Sequence, residues 1–147
     1  MNPKCDTVSS LASFLEQQVS QFLKADGLRL RLDFPEDIPE LPMGAEARHE
    51  LALSVREALT NVVRHAQATE VTLSLAITDQ TLRVQVKDNG RGFRQCQTNV
   101  HGLANMKARM ERVRGSFECL CAPEGGTAVT FRLSLGQPAK QLAPNEA

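Results

Sequence analysis

Tryptophan and tyrosine are absent from the 147 residues, and phenylalanine occurs only six times. That removes the flat platforms on which a single-stranded nucleic acid stacks. Net charge is also missing. The 17 Lys plus Arg balance 17 Asp plus Glu, so no basic field argues for nucleic acid and no polybasic run for a membrane surface. Apolar runs extend only a few residues, so neither a membrane-crossing span nor a secretory signal is expected. The four cysteines, Cys5, Cys96, Cys119 and Cys121, form no Cys-x-x-Cys, and no histidine pair completes a zinc set. Cys119 and Cys121 share one face of a strand, a poor arrangement for a mutual disulfide. All four are expected to be reduced, in a cytoplasmic compartment. Neither Gly-x-x-x-x-Gly-Lys nor Gly-x-Gly-x-x-Gly occurs.

What is present suits one soluble domain with a single sizeable core: 41% hydrophobic and 23% charged residues. Residues 1–6 and 136–147 have little to bury and are expected to be disordered ends. Between them, 7–135 reads as one domain. Leu11, Phe14, Leu15, Val19, Phe22 and Leu23 share a helical face over 7–24, with Ser9 or Ser10 available as cap and Asp26-Gly27 as stop. Leu28, Leu30, Leu32 and Phe34 alternate with polar residues in a half-buried strand. Pro35, Pro39 and Pro42 mark a loop. A second helix over 45–66 turns Leu51, Val55, Ala58, Leu59, Val62 and Ala66 inward. Strands at 71–77 and 82–86 form a hairpin about Thr78–Thr81. A helix over 102–114 buries Leu103, Met106, Met110 and Val113 and stops at Gly115. Strands through Phe117–Cys121 and Val129–Leu135 follow. Every strand has one apolar and one polar face. The architecture expected is therefore a two-layer α/β sandwich, with a mixed, mostly antiparallel five-strand sheet and three helices on one face.

Four stretches carry chemistry-bearing residues. In the second helix, Glu57, Asn61 and His65 follow at i, i+4, i+8 along the edge of the apolar arc, with Arg64 beside them. A carboxylate and an amide there suit a hard cation such as Mg²⁺, and the basic pair suits an anion. Taken alone, the plainer reading is a surface helix with ordinary i,i+4 pairs. Asp88-Asn89-Gly90-Arg91-Gly92 puts a carboxylate at a sheet rim. An acceptor-only group suits an exocyclic amino group such as that of adenine, and the glycines admit close backbone approach; alone, the tripeptide is an ordinary turn. His101-Gly102-Leu103 opens a helix whose free N–H groups suit phosphate oxygens, or is simply a glycine cap. Gly125-Gly126-Thr127 enters the last strand and by itself reads as a hairpin turn.

Together, in this order and spacing, the four resemble the nucleotide-binding boxes of sensor histidine kinases. Glu57-x-x-x-Asn61-x-x-Arg64-His65 is similar to their N box, Asp88-Asn-Gly-Arg-Gly92-Phe93 and His101-Gly-Leu-x-Asn-Met106 to their glycine boxes, and Gly125-Gly-Thr127 to the last. The compact Arg-Glu-Ala-Leu-Thr-Asn box and His-Gly-Leu-x-x-Met are most similar to the nitrate/nitrite-sensor subfamily. The resemblance covers about residues 7–135 and implies the Bergerat ATP-binding sandwich, shared with gyrase and MutL-like ATPases. It further implies ATP and Mg²⁺ as ligands. By that likeness, Asn61 ligates the metal and Glu57 is the catalytic group by the reacting phosphate. Arg64 and His65 approach the phosphates, while Asp88 holds the adenine amino group with Thr127 assisting. Gly90 and Gly92 shape the base pocket, Phe93 to His101 form a lid, and Gly102 and Leu103 lie at the phosphate end.

The same resemblance implies a partner segment. These kinases phosphorylate a histidine on a dimerisation segment, which is expected upstream of residue 7, and pass the phosphate to a response regulator. His49-Glu50-Leu51 looks like a phosphoacceptor box but shares a helix with Asn61 and could not swing to the γ-phosphate. The chain is thus expected to be the ATP-binding part of a larger cytoplasmic or membrane-anchored kinase that does not autophosphorylate alone, without contact to nucleic acid or membrane. An anti-sigma-factor-type serine kinase and a non-catalytic ATP-sensing module are the alternatives.

Overall fold

The computed structural model describes residues 7–90, 100–122 and 125–135. The expected disordered ends at 1–6 and 136–147, and most of the expected lid, lie outside the described residues. Helix α1 spans Val8–Ala25. Strand β1 spans Arg29–Asp33. Helix α2, Ala45–Asn61, runs directly into a π-helical turn, Val62–Ala66. Strands β2 (Glu70–Thr78) and β3 (Thr81–Asp88) form the hairpin. Helix α3 spans Val100–Arg112, and strands β4 (Ser116–Cys121) and β5 (Thr127–Ser134) close the fold.

The five strands lie in the order β1-β2-β3-β5-β4. Only β1 and β2 run parallel, the connection between them being the α2 crossover. The other pairings are antiparallel. This is the two-layer α/β sandwich expected. Its core forms where period-2 and period-3.6 faces meet: Val71, Leu73, Val84, Val86, Phe131 and Leu133 from the sheet, Leu11, Leu15, Leu51, Val55, Met106 and Met110 from the helices, all buried. Burying each such side chain is worth about 1.5–3 kcal/mol. On the outer face Gln85 Nε2 donates to Thr130 Oγ1 at 3.0 Å, which accounts for a buried threonine on the polar side.

Several local expectations change. Thr7, not Ser9 or Ser10, caps α1. Its side chain accepts from Ser10 N while the Ser10 side chain accepts from Thr7 N, a reciprocal capping box. Phe14 (37% exposed) and Leu32 (41%) lie on the expected apolar faces but remain partly in solvent. Phe14 lines a groove between α1 and α2, and Leu32 is on an edge strand. The β2–β3 turn holds Asp79 and Gln80 at φ 51° and 61°, a left-handed pair made without glycine. Helix α3 begins at Val100 rather than Gly102. After it, Arg114 takes the left-handed conformation (φ 60°). Gly115 serves a different end: a Cβ there would lie 2.6 Å from the Arg132 carbonyl oxygen and 2.8 Å from the Met110 side chain. It is a spacing residue between α3 and β5.

Cys119 and Cys121 do not pair with each other, as their alternation requires. Cys119 is a thiol. Cys121, however, is disulfide-bonded, which corrects the expectation of four reduced cysteines.

Candidate functional site

The site is built at one end of the sheet, from the end of α2, the β3 exit and the β5 entry. Asp88 follows Leu82, Val84 and Val86 on the helix-facing side of β3, so alternation carries a carboxylate into the core layer, where it is 3% exposed. Asp88 Oδ1 accepts from Gly90 N at 2.7 Å. Burial pushes the carboxyl above its ordinary value, and the N–H groups of Gly90 and Thr127 partly offset that by favouring the charged form. An acid held this way is an acceptor directed inward and short of water.

Three loops are fastened around it, largely through main chain. Gly126 N donates to Gly90 O at 2.7 Å. A Cβ at Gly126 (φ +92°) would lie 2.8 Å from Asp88 O, and one at Gly125 (φ +123°) 2.9 Å from Gly90 O. These two positions need glycine both for conformation and for space. Gly90 packs against the end of α2. A methyl there would overlap the Ala66 carbonyl oxygen and lie 2.8 Å from Ala66 Cβ. Its first use is therefore to seat the Asp88 turn on the helix, rather than only to admit a flat ring or a phosphate. Thr127 is paired with Asp88 in register and is buried, with Cys121 Sγ 3.7 Å from its Oγ1.

Asn61 is the last residue of α2 before the π turn and is 4% exposed, while Glu57, one turn earlier on the same edge, is half-buried. Since Ala66 ends the π turn that Asn61 leads into, the Gly90–Ala66 contact ties the Asp88 turn to the helix bearing the amide. Arg64 is exposed in the π turn. Such turns are rare and recur at functional sites, because the extra residue re-aims the side chains that follow. Gly102 is buried in the first turn of α3, and Leu103 is half-buried behind it. The side chains of His65 and His101, and all of Gly92 and Phe93, lie outside the described residues.

Two further contributors were not singled out from the sequence. Asn89 Oδ1 accepts from Thr69 N (2.9 Å) and Glu70 N (3.1 Å), and its Nδ2 donates to Thr69 Oγ1 (2.9 Å). It thereby clamps the Asp88 turn to the segment leaving α2; the available signal was an Asn in a turn tripeptide, which bonds neighbouring backbone readily. Cys119 is close enough to Asp88 to feel its charge. Burial first, and that charge second, push the thiol up to about 11. Elsewhere, Glu50 on α2 accepts from Arg109 Nη1 (3.3 Å) and pairs with Arg112 Nη1 (3.5 Å), fixing α3 against α2.

Comparison with known proteins agrees with this architecture. The family described as "Histidine kinase-, DNA gyrase B-, and HSP90-like ATPase" matches residues 46–137. The chain belongs to that family. It is 30% identical over 123 residues to the sensor histidine kinase LiaS of Bacillus subtilis, covering 82% of this chain and 34% of LiaS. It is 31% identical over 125 residues to the nitrate/nitrite sensor protein NarX of Escherichia coli, covering 84% of this chain and 21% of NarX. The chain thus spans about a fifth to a third of these curated relatives. The blue-light activated histidine kinase EL346 of Erythrobacter litoralis has the same fold, with a TM-score of 0.72 at 22% identity over 88% of this chain and 43% of that one.

Proposed function

We propose that this chain is the catalytic ATP-binding part of a two-component sensor histidine kinase, binding Mg-ATP and presenting its γ-phosphate to a histidine on a separate dimerisation segment. The observation that carries the reading is the buried Asp88 carboxylate, held by Gly90 and Thr127 at the sheet end and fastened to the helix that bears Asn61. Asp88 accepts from the adenine amino group and rejects a carbonyl at that position. Gly90 and Thr127 complete the base pocket, with Gly92 and Phe93 entering on the sequence motif alone. Arg64 and His65 attract the phosphates, and Gly102 and Leu103 close their far end with His101.

The residues present fit Mg²⁺. Among the described residues no group of three or more His, Cys, Asp and Glu could cage a metal ion. A single buried amide oxygen suits an ion that keeps its waters and binds mainly through phosphate oxygens. Asn61 would hold it. When bound, the ion neutralises phosphate charge. Glu57, one turn away and half-buried, orients water or polarises the acceptor imidazole. Positioning and charge neutralisation are what phosphoryl transfer chiefly requires. The response regulator is then a partner of the parent protein. None of the helices is long and apolar enough to cross a membrane among the described residues, and a cytoplasmic location fits that.

Titration calorimetry with ADP and Mg²⁺ tests the binding half: saturable binding that Asp88→Asn removes is expected, and its absence in the wild type would refute the reading. A phosphotransfer assay with the dimerisation segment supplied separately tests the rest. Label on histidine is expected; label on serine, or none despite nucleotide binding, would overturn the kinase assignment.

A further inference from the structure

A buried charge cluster lies between α2 and α3, away from the nucleotide site. Glu50 is a carboxylate only 8% exposed. Arg109 Nη1 donates to its Oε1 at 3.3 Å, and Arg112 Nη1 reaches both oxygens at 3.5 Å. A buried ion pair adds little net stability, because desolvation offsets the attraction, but it does define a geometry. The packing beside it defines less. Among the described residues, the buried side chains of α3 are Met106 and Met110, while Leu103 and Val113 are half-buried. Methionine is unbranched and adapts to irregular gaps. Two of them hold α3 against the core without fixing its tilt or its slide along α2.

The two helices run in opposite directions. Gly90 meets Ala66, at the end of the π turn that follows α2, at the sheet end that carries Asp88. Gly115, just past α3, meets Arg132 toward the other end of β5. Helix α3 therefore starts at the site, with Gly102 buried in its first turn, and is clasped by Glu50 at its last. We infer that Glu50 is a positioning residue for the nucleotide phosphates: by holding the last turn of α3 it sets where the first turn, the positive end of the helix dipole, stands. The inference rests on the ATP-binding reading above. From Gly102 to Arg109 and Arg112 is roughly 10–15 Å along the axis. A tilt of about 5° about the clasp moves the start of the helix by about 1 Å, and a misplacement of that size is enough to cost about 100-fold in a reaction. The groups assigned to adenine, Asp88 and Thr127, belong to β3 and β5. The clasp touches neither strand, so its effect falls on the phosphates and spares the base.

The test compares the wild-type chain with two variants. Glu50→Gln leaves two guanidiniums facing an amide. The triple variant Glu50→Met, Arg109→Met, Arg112→Met fills the same space with apolar groups, and its stability to urea should equal or exceed that of wild type. Mg-ADP affinity is read by calorimetry and adenosine affinity by NMR titration of the ¹⁵N-labelled chain. Both variants should bind Mg-ADP at least tenfold more weakly than wild type and adenosine within twofold of it. Loss of a merely stabilising contact would not separate the two ligands, nor persist in a triple variant as stable as wild type. Wild-type Mg-ADP affinity in the triple variant, or equal losses for Mg-ADP and adenosine, would overturn the inference while leaving the ATP-binding reading in place. A wild-type chain that binds neither ligand would refute that reading, and this inference with it.

Discussion

Replacing Gly90 by alanine tests how the site is held together. The new methyl would overlap the Ala66 carbonyl oxygen and lie 2.7 Å from the Ala66 carbonyl carbon and 2.8 Å from its Cβ. Comfortable carbon–carbon separations begin near ~3.5 Å, so the loop or the π turn must retreat by about 0.7 Å or more. Neither can do so alone. Gly90 N is bonded to Asp88 Oδ1 and Gly90 O to Gly126 N, both at 2.7 Å. Overpacking of this kind costs about 1–3 kcal/mol, and loss of one of those bonds adds about 1 kcal/mol. The sum, about 2–4 kcal/mol, corresponds to a fall in Tm of roughly 5–15 °C for a domain of this size. Differential scanning fluorimetry and urea titration measure it, with an unchanged m-value expected. Because the retreat drags Asp88 from its seat, affinity for Mg-ADP should fall at least tenfold. A Gly90→Ala protein with wild-type Tm and wild-type affinity would refute the account of Gly90 as the joint between the β3 exit and α2.

Asp88→Asn should abolish nucleotide binding while leaving the empty domain as stable as wild type, or more so, at neutral pH. Burial raises the folded pKa, so the native state binds the proton more tightly than the unfolded chain. Wild-type stability therefore falls as pH rises from the ordinary carboxylate value through the raised one, and the advantage of Asp88→Asn should close on acidification in urea denaturation. Asn61→Ala should reduce ADP affinity to the level seen in EDTA, with no further effect of chelator, by calorimetry. A thiol raised from 9.0 to about 11 carries roughly a hundredfold less thiolate at pH 8, so native Cys119 should resist iodoacetamide in peptide mapping and react once unfolded. Thr7→Ala removes the capping box of α1 and should cost about 1 kcal/mol in urea unfolding.

Periodicity made the layers legible. Alternation from Val71 to Val86 and the 3.6-residue spacing of Leu51, Val55, Ala58 and Leu59 suffice to place a sheet under helices, and both faces are buried as expected. Edges were less legible. Leu32 alternates as faithfully as Leu30, yet an edge strand gives it no neighbour on one side, and it stays 41% exposed. Pattern cannot report the groove between α1 and α2 that leaves Phe14 partly exposed. At the site, residue types and spacing pointed to Asp88, Gly90 and Thr127 because each chemistry is carried by one side chain or by its absence. The π turn at Val62–Ala66 has no such signature, since an inserted residue in a helix leaves composition and spacing intact. Asn89 and Gly115 were legible only as turn formers. Their actual partners, Thr69 and Arg132, are 20 and 17 positions away, beyond what local sequence encodes.

The loops that wall this site are joined amide to carbonyl: Gly126 to Gly90, Gly125 to Ala122, Asn89 to Glu70. Joints of that sort do not depend on which side chains the neighbouring positions bear. Relatives could therefore exchange residues along the rim, and with them ligand preference, while the frame stays put. The tolerance ends at the glycines themselves, where a single methyl group has nowhere to go.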